Sequence, residues 1–242
     1  SAALALCMAL SLCVGARAAG SSAKQEALQA LGILTTGESL SSPVSRAQFA
    51  QMLTAASPYK DGAEGYGSSL FKDLKGSHWA SGYVRTAIEQ GWMSGYMDGT
   101  FRPDQTATLE EGCAALLRVL GYDPSALKGA YPAAQLSKAS SLGLLDGVSA
   151  KQGGGLTRQD CVELFYNLLT AQTSAGAVYG ATLGYTITNG QVDYSALVAA
   201  DTKGPFVAEG GALSLPFTPG TVYYNGAESS LNAVQKYDVY YY

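Results

Sequence analysis

The chain has 242 residues, of which 47% are hydrophobic and only 14% are charged, so one or two domains with a real core are expected. The formal net charge is -4 and the sequence contains no basic run, which argues against a nucleic-acid partner. The single histidine, His78, excludes a metal site built from several histidines.

Residues 1–18 are predicted to be a secretory signal peptide. Ala2 to Val14 form a continuous apolar run that is short for a bilayer span, and Ala16-Arg17-Ala18 fits a small-x-small cleavage site. We therefore expect a secreted chain that is cut after Ala18 and has no membrane span once the signal is removed. A membrane anchor is the alternative.

Three segments of the chain repeat one pattern, in which a helix stops at a glycine and a second helix starts at Ser or Thr. The glycines, which suit the left-handed position after a helix, are Gly32, Gly91 and Gly143. The residues predicted to cap the second helices are Ser45, Thr108 and Thr157. Gln48 and Glu111 complete capping boxes, and Asp160 approximates a third.

Apolar residues recur at helical spacing after each cap, so each short helix exposes one apolar stripe. A single helix pair cannot bury its stripe alone, whereas three pairs around a common axis can. The predicted units are 23–58, 70–123 and 124–173, with a glycine-rich linker at 59–69.

From residue 176 to 242 the pattern changes to alternation and turn signals. Asn189-Gly190 and Asn225-Gly226 predict hairpin turns, and further runs surround Leu213 to Leu215 and Val239 to Tyr242. The expected fold class is therefore a mainly α N-terminal part followed by a small β-rich region. That region stops in mid-strand at Tyr242, so we expect it to be truncated.

Two cysteines, Cys113 and Cys161, remain after signal removal. Each lies on the apolar face of a predicted helix, which favours two buried core residues over a disulfide. The sequence shows no metal-ligand spacing, and Asp98 and Asp104 supply too few oxygens for a calcium loop. No metal or cofactor is predicted.

The second unit closely resembles an S-layer homology repeat, the module that anchors bacterial surface proteins to cell-wall polymers. The matching residues are Phe71-x-Asp73, His78-Trp79-Ala80, Gly91, Gly95-Tyr96-Met97-Asp98-Gly99-Thr100-Phe101-Arg102-Pro103 and the helix start at Thr108. Val44 to Ala50 and Leu156 to Asp160 look like the family's Thr-Arg-Ala-Glu helix opening. The resemblance covers about Ala23 to Thr173 and does not extend to the tyrosine-rich tail.

In that family three repeats form a pseudo-threefold bundle, and the grooves between repeats hold a secondary cell-wall polysaccharide that often carries an acidic pyruvate ketal. The resemblance implies a ligand of this class here, and a place in the cell wall or surface layer. Arg46 and Arg158, in the first turns of their helices, are candidate glycan-binding residues, because a guanidinium and a helix N-terminus both favour a carboxylate. A solvated arginine, or one paired with a carboxylate of the protein, is the alternative.

Three residues of the second unit are further glycan-binding candidates with open alternatives. Trp79 is either a core anchor or a platform for a sugar ring. Asp73 either caps the next turn or contacts the glycan, and Gly95 lets the backbone approach a neighbour or a ligand closely. His78 is expected to be a turn residue at the helix start rather than a ligand or a base.

The departures from the family pattern limit the expected sites. Leu109 stands where the second unit should have its arginine, and residues 149–155 of the third unit replace the Tyr-x-Asp-Gly-Thr-Phe loop. The first unit lacks the tryptophan-bearing start. We therefore expect at most two competent grooves, centred on Arg46 and Arg158.

Three functional hypotheses follow. The first is a non-catalytic anchoring module of an S-layer or surface protein. The second is the anchor of a surface enzyme, such as a glycan or wall hydrolase, whose catalytic domain lies beyond Tyr242; the sequence has no persuasive carboxylate pair and no nucleophile elbow. The third is an adhesive protein whose tyrosine-rich strands self-associate edge to edge.

Overall fold

The computed structural model describes residues 21–62, 70–193, 203–215 and 222–242, which belong to two compact units that divide between residues 194 and 195. Helices are the main regular elements of the first unit and short strands those of the second, which confirms the predicted order of a mainly α part and a small β-rich part. The predicted signal peptide lies outside the described residues. No helix in the described ranges is long and apolar enough to cross a membrane.

Seven α-helices lie in the described part of the first unit. They are α1 (Ser21–Ala30), α2 (Arg46–Ala55), α3 (Ser81–Glu89), α4 (Leu109–Val119), α5 (Ala133–Ser141), α6 (Arg158–Thr170) and the short α7 (Tyr179–Thr182). The main contacts join α2 to α3, α4 to α5, and α6 to α1. The second helix of each predicted unit therefore packs on the first helix of the next, and the third unit returns to the first.

The local signals for helix ends are confirmed. Ser45, Thr108 and Thr157 all form complete capping boxes, including the third, which was predicted only as an approximation. The glycines after α1, α3 and α5 adopt φ values of 70°, 70° and 74°. These helix ends are determined by nearby residues in the sequence. The side-chain oxygen of Ser or Thr accepts from a free N–H group at each helix start, and glycine, which has no Cβ, takes the left-handed conformation after each helix.

A ring of three backbone hydrogen bonds joins the loops that precede α2, α4 and α6. Val44 N donates to Leu156 O at 2.9 Å, Leu156 N to Ala107 O at 2.8 Å, and Ala107 N to Val44 O at 2.9 Å. All three residues are buried. The loops are thus held to one another by main-chain bonds that do not depend on side-chain identity.

The same loops also use the first N–H group of each helix. The donors and acceptors are Arg46 N to Gln105 O at 2.8 Å, Leu109 N to Gly154 O at 3.0 Å, and Arg158 N to Ser42 O at 2.9 Å. These groups are normally free at a helix start. They are therefore not available to an anion, contrary to the expectation that a ligand would meet free N–H groups beside the arginines.

The core lies between the helices that begin at the three loops. Phe49 and Phe165 are fully buried, with ring centroids 5.3 Å apart. Gly112 lies beside them, because a Cβ added there would be 3.3 Å from Phe49 Cζ and 2.9 Å from Leu156 Cδ1. The helices can approach this closely only where one of them has no side chain.

Cys113 and Cys161 are both buried and unpaired, as predicted. Burial, with a smaller contribution from Glu110, raises the pKa of Cys113 to about 12, and burial also raises the pKa of Cys161. Only the thiolate reacts with alkylating reagents. We expect iodoacetamide at about pH 8, near the ordinary thiol pKa, to leave both thiols unmodified in the native protein and to modify both in urea. Peptide mass spectrometry measures this, and alkylation of either thiol in the native protein would contradict it.

Part of the predicted β region belongs to the first unit. α7 and a hairpin of β1 (Thr186–Thr188) and β2 (Gln191–Asp193) pack on α6 and on each other. The Tyr179 hydroxyl donates to Ala56 O at 2.8 Å, and Val192 N donates to the Tyr166 hydroxyl at 3.2 Å. The compact unit thus extends past the predicted division at residue 176, because these buried contacts fix the segment to the helices.

The second unit contains two small antiparallel pairs in its described residues. β3 (Phe206–Val207) pairs with β6 (Val239–Tyr240), and β4 (Val222–Tyr224) pairs with β5 (Ala227–Ser229). Asn189-Gly190 and Asn225-Gly226 both have positive φ at both residues, which confirms the two predicted turns. The run at Leu213 to Leu215 is not a strand. Among the described hydrophobic residues of this unit, only Ala208 is fully buried.

Candidate functional site

Arg46 connects the start of α2 to the loop before α4. Its side chain is almost fully buried, at 4% exposure. Nε donates to Phe101 O at 2.9 Å, Nη1 to Glu111 Oε1 at 2.6 Å, and Nη2 to Ser94 O at 2.8 Å. Each of its three nitrogens therefore has a partner in the second predicted unit.

Glu111 is the carboxylate of this contact and also holds the helix start. Oε2 accepts from Thr108 N at 3.0 Å, and Oε1 accepts from the Tyr96 hydroxyl at 3.2 Å. The Arg46 guanidinium lies 5.0 Å from the Tyr96 ring centroid, and the Arg102 guanidinium lies 3.7 Å from the same centroid. Arg46 is thus paired with a carboxylate of the protein, which was the alternative to ligand binding. Its contact with a glycan stays a prediction.

Arg158 occupies the matching place at the start of α6 but has a less complete set of partners. Nη1 donates to Glu38 Oε2 at 3.0 Å, and Nη2 donates to Thr35 O at 2.7 Å and Thr35 Oγ1 at 3.2 Å. Nε is buried and has no hydrogen-bond partner among the described residues. The Arg158 side chain is 4% exposed, whereas the Glu38 side chain is 46% exposed.

The start of α4 has no arginine. Leu109 stands at this position and is buried. The loop of residues 149–154, whose Gly154 O accepts from Leu109 N, is held by carboxylates. Glu110 accepts from Gly153 N at 2.9 Å, and Asp160 accepts from Ser149 N and Ala150 N at 2.8 and 3.0 Å. Burial works to raise the pKa of Asp160, but hydrogen bonds from Thr157, Ala150 and Ser149 outweigh it and hold the pKa below its usual range.

Asp73 binds a distant loop rather than the next turn. Its two carboxylate oxygens accept from Phe101 N at 2.8 Å and Arg102 N at 2.7 Å. Arg102 has a φ of 58°, so the carboxylate supports a backbone shape that is uncommon outside glycine. The predicted cap on the following turn is therefore wrong. A contact of this exposed carboxylate with a glycan stays a prediction.

Gly95 allows a close approach of the protein to itself. A Cβ at this position would lie 2.2 Å from Phe71 Cε1 and 2.9 Å from Thr100 O. The expectation of a close neighbour is confirmed, and that neighbour is the Phe71 ring. Arg46 and Asp73 both bind the backbone of the loop of residues 94–102, which contains Gly95, so the structure brings these three predicted residues together.

The turn inside this loop is ordered by Asp98. Its Oδ1 accepts from Thr100 Oγ1 at 2.6 Å and from Thr100 N at 3.0 Å, and Gly99 has a φ of 79°. These bonds, with a smaller contribution from Arg102, lower the pKa of Asp98 to about 2. Residues 96–99 thus form a tight turn, in which Gly99 N donates to Tyr96 O at 3.0 Å. No group of metal-ligating side chains is found in the described residues.

Trp79 lies on the surface next to the start of α3. Trp79 is 54% exposed, so the core-anchor interpretation is wrong, and its role as a platform for a sugar ring stays a prediction. Its ring centroid is 5.6 Å from that of His78 and 6.4 Å from that of Tyr83. His78 Nδ1 accepts from Ala80 N at 3.1 Å, which confirms His78 as a turn residue at the helix start.

Sequence reasoning missed four partners of the two arginines: Glu111 as an ion-pair partner, Tyr96, Glu38 and Thr35. Tyr96 and Glu111 lie in the segments that resemble the S-layer homology repeat, and this resemblance is the signal that could have identified them as partners of Arg46. Glu38 and Thr35 lie in a loop without any recognisable motif. Only the return of α6 to α1 brings them to Arg158.

Comparison with known proteins finds similarity to the S-layer homology domain and to proteins of the cell wall and surface layer. Residues 70–111 match the family model of the S-layer homology domain. The chain is 29% identical to the "Middle cell wall protein" of Brevibacillus brevis over 166 residues, which is 66% of this chain and 16% of that protein. It is 29% identical to the "Surface layer protein" of Brevibacillus choshinensis over 107 residues, or 44% of this chain and 10% of that protein.

A third relative has a different kind of name. The "Cellulosome-anchoring protein" of Acetivibrio thermocellus is 39% identical over 69 residues, which is 28% of this chain and 15% of that protein. The chain therefore spans only a small part of these relatives. The helix-loop-helix element with the Asp73-supported loop and the Thr108 capping box is the part that the family model matches. The chain thus contains a segment, residues 70–111, that matches the S-layer homology domain, and over longer stretches it is similar to proteins named for the cell wall and the surface layer.

Proposed function

We propose that the first unit is a non-catalytic module that anchors the protein to the cell wall by binding an acidic secondary cell-wall polysaccharide, such as a pyruvylated one. The S-layer homology domain and the names of the relatives support a cell-surface location and an anchoring role. Those names include both a surface layer protein and a cellulosome-anchoring protein, so the proposal concerns anchoring and does not extend to the cargo.

We infer that the three predicted units form a pseudo-threefold bundle. The cyclic helix contacts and the ring of hydrogen bonds among Val44, Ala107 and Leu156 support this inference. In such a bundle the three boundaries between units are equivalent in backbone and different in side chains. The boundaries at Arg46, Leu109 and Arg158 can therefore be compared directly.

The unpartnered Nε of Arg158 is the observation that favours one boundary over the others. At the Arg46 boundary, the equivalent nitrogen donates to Phe101 O. A buried donor without an acceptor costs about 1 to 3 kcal/mol. A carboxylate oxygen of the ligand would remove that cost and form a charge-assisted hydrogen bond. The Arg158 boundary is thus the one we assign to the acidic substituent.

The partner of Arg158 is also easier to displace. Glu38 is nearly half exposed, and an ion pair with such a partner contributes little, typically about 0 to 1 kcal/mol. Glu111 is less exposed and is held by two further hydrogen bonds. A ligand carboxylate can therefore replace Glu38 with a small loss, whereas replacement of Glu111 would also open the cap of α4.

Sedimentation with purified cell walls tests the proposal. We expect the wild-type chain to bind walls and to lose most of this binding after chemical removal of the acidic substituent. Arg158→Ala is expected to weaken binding by about 10- to 100-fold, because a hydrogen bond to a charged group contributes about 1.5 to 3 kcal/mol. Arg102→Ala removes the same charge from an exposed position and is the matched control.

Two results would contradict the proposal at different levels. Unchanged binding by a folded Arg158→Ala variant would contradict the assignment of the ligand to the Arg158 boundary. Equal binding of the wild type to walls with and without the acidic group would contradict the proposal that the ligand is acidic. Circular dichroism of each variant separates loss of binding from loss of fold.

A further inference from the structure

The second unit contains a cavity that the anchoring role does not use. Its volume is about 580 Å³, and all the residues that line it belong to this unit. This volume is in the range of small-ligand pockets, about 300 to 1,000 Å³. Five tyrosines contribute to its wall: Tyr223, Tyr224, Tyr240, Tyr241 and Tyr242.

The charge of the lining has one sign. Among the described residues that line the cavity, Asp238 is the only one with an ionisable side chain other than the tyrosines, and none is Lys, Arg or His. None of the ion pairs found among the described residues includes Asp238. The Asp238 carboxylate therefore has no cationic partner in the described part of the unit.

Hydrogen bonds hold this carboxylate and the rings in place. Asp238 Oδ2 accepts from Gln235 N at 2.8 Å, and a hydrogen bond with Asp238 raises the pKa of the Tyr224 hydroxyl. The Tyr240 hydroxyl accepts from Ser214 N at 3.0 Å and donates to Ser214 O at 3.1 Å. Phe206 stacks on Tyr242 with a centroid distance of 5.2 Å. The cavity wall is thus positioned before any ligand arrives.

We propose that this cavity binds an organic cation with an apolar body, of the methylated ammonium class. The face of an aromatic ring is negative and attracts such a cation by about 0.5 to 2 kcal/mol. The Asp238 carboxylate, which has no cationic partner among the described residues, adds attraction of the same sign, and the leucine and valine side chains of the wall receive the methyl groups. A neutral sugar gains nothing from the charge, and an acidic glycan is repelled.

Calorimetric titration of the full chain tests this proposal with tetramethylammonium and choline as probes. We expect both probes to bind with dissociation constants of about 1 to 10 mM, and glucose and acetate to give no binding heat. Sodium at the same concentration is the control for ionic strength. The titration needs no cell wall, so its outcome is independent of the anchoring proposal.

Matched variants locate the site. Asp238→Asn, which can still accept from Gln235 N, is expected to weaken binding at least fivefold. Tyr241→Leu keeps an apolar wall without the ring and is also expected to weaken it. Glu228→Gln removes the same charge from an exposed position on β5 and is expected to change nothing. The absence of tetramethylammonium binding, a response to glucose instead, or an equal effect of Glu228→Gln would overturn the proposal.

Discussion

Replacement of Arg46 by methionine is expected to lower the free energy of unfolding by about 3 to 5 kcal/mol, the loss typical of breaking a buried ion pair. Methionine keeps most of the apolar stem but removes all three donors. Glu111, Phe101 O and Ser94 O then lose a partner at the boundary between α2 and the loop before α4. We expect the lower end of this range, because the Glu111 side chain is 24% exposed and water can reach it.

Urea unfolding followed by tryptophan fluorescence measures this loss. Both tryptophans, Trp79 and Trp92, lie in the first unit, so the signal reports on that unit alone. Arg102→Met removes an exposed arginine that pairs with Asp98 and is expected to cost less than about 1 kcal/mol. A loss below about 1 kcal/mol in Arg46→Met itself would show that the buried pair does not stabilise the bundle.

A second substitution separates the two causes of the loss. Glu111→Gln keeps the capping box, since glutamine also serves at this position, as Gln48 does at the start of α2. The double variant Arg46→Met with Glu111→Gln removes both charges and leaves no unpaired carboxylate. We expect it to be more stable than Arg46→Met alone. Equal stability of the two would assign the loss to the carbonyl partners.

The two arginines therefore differ in what their replacement should change. Arg46 has a partner at every nitrogen, so we expect its loss to reduce stability first. Arg158 retains an unpartnered donor beside an exposed carboxylate, so we expect its loss to reduce wall binding first. Two residues with the same place in the sequence pattern thus receive different roles from their surroundings.

The helix ends could be predicted from the sequence because each depends on residues within one turn. The three capping boxes and the glycines after α1, α3 and α5 are such cases. The partners of the arginines could not be predicted. Glu111 lies 65 residues from Arg46, and Glu38 lies 120 residues from Arg158. Such pairs depend on how the units close on one another, which no local pattern records.

The remaining errors have similar physical causes. The sequence leaves Trp79 as either a core anchor or a platform for a sugar ring, because helical spacing does not specify which face a residue before the helix takes. The segment after residue 176 has the alternation of a separate β region, yet its short hairpin packs on α6. A two-stranded hairpin is rarely stable alone. Its placement therefore depends on the apolar surface that a neighbour offers.

Phe49→Ala is the second substitution with a large expected effect, a loss of about 3 to 5 kcal/mol of unfolding free energy. Phe49 is the fourth residue of α2, and the fourth residues of α4 and α6 are Gly112 and Cys161. One large and two small side chains therefore stand at three matching positions. Phe49 also packs on Phe165 at 5.3 Å and fills the space beside Gly112.

The same urea titration measures this loss, and Phe49→Leu is the matched control, with an expected loss smaller than that of alanine because less volume is removed. At this point α4 has only the hydrogen of Gly112, so it offers no side chain to fill the space that alanine leaves. Gly112→Ala adds back a single methyl group near the vacated ring position, and the Leu156 side chain, whose Cδ1 would lie 2.9 Å from that methyl, can shift into the vacated space. In the Phe49→Ala background it is expected to restore part of the stability. No recovery would show that the two positions do not share one space, and would contradict the assignment of Phe49 as the side chain that fills the centre.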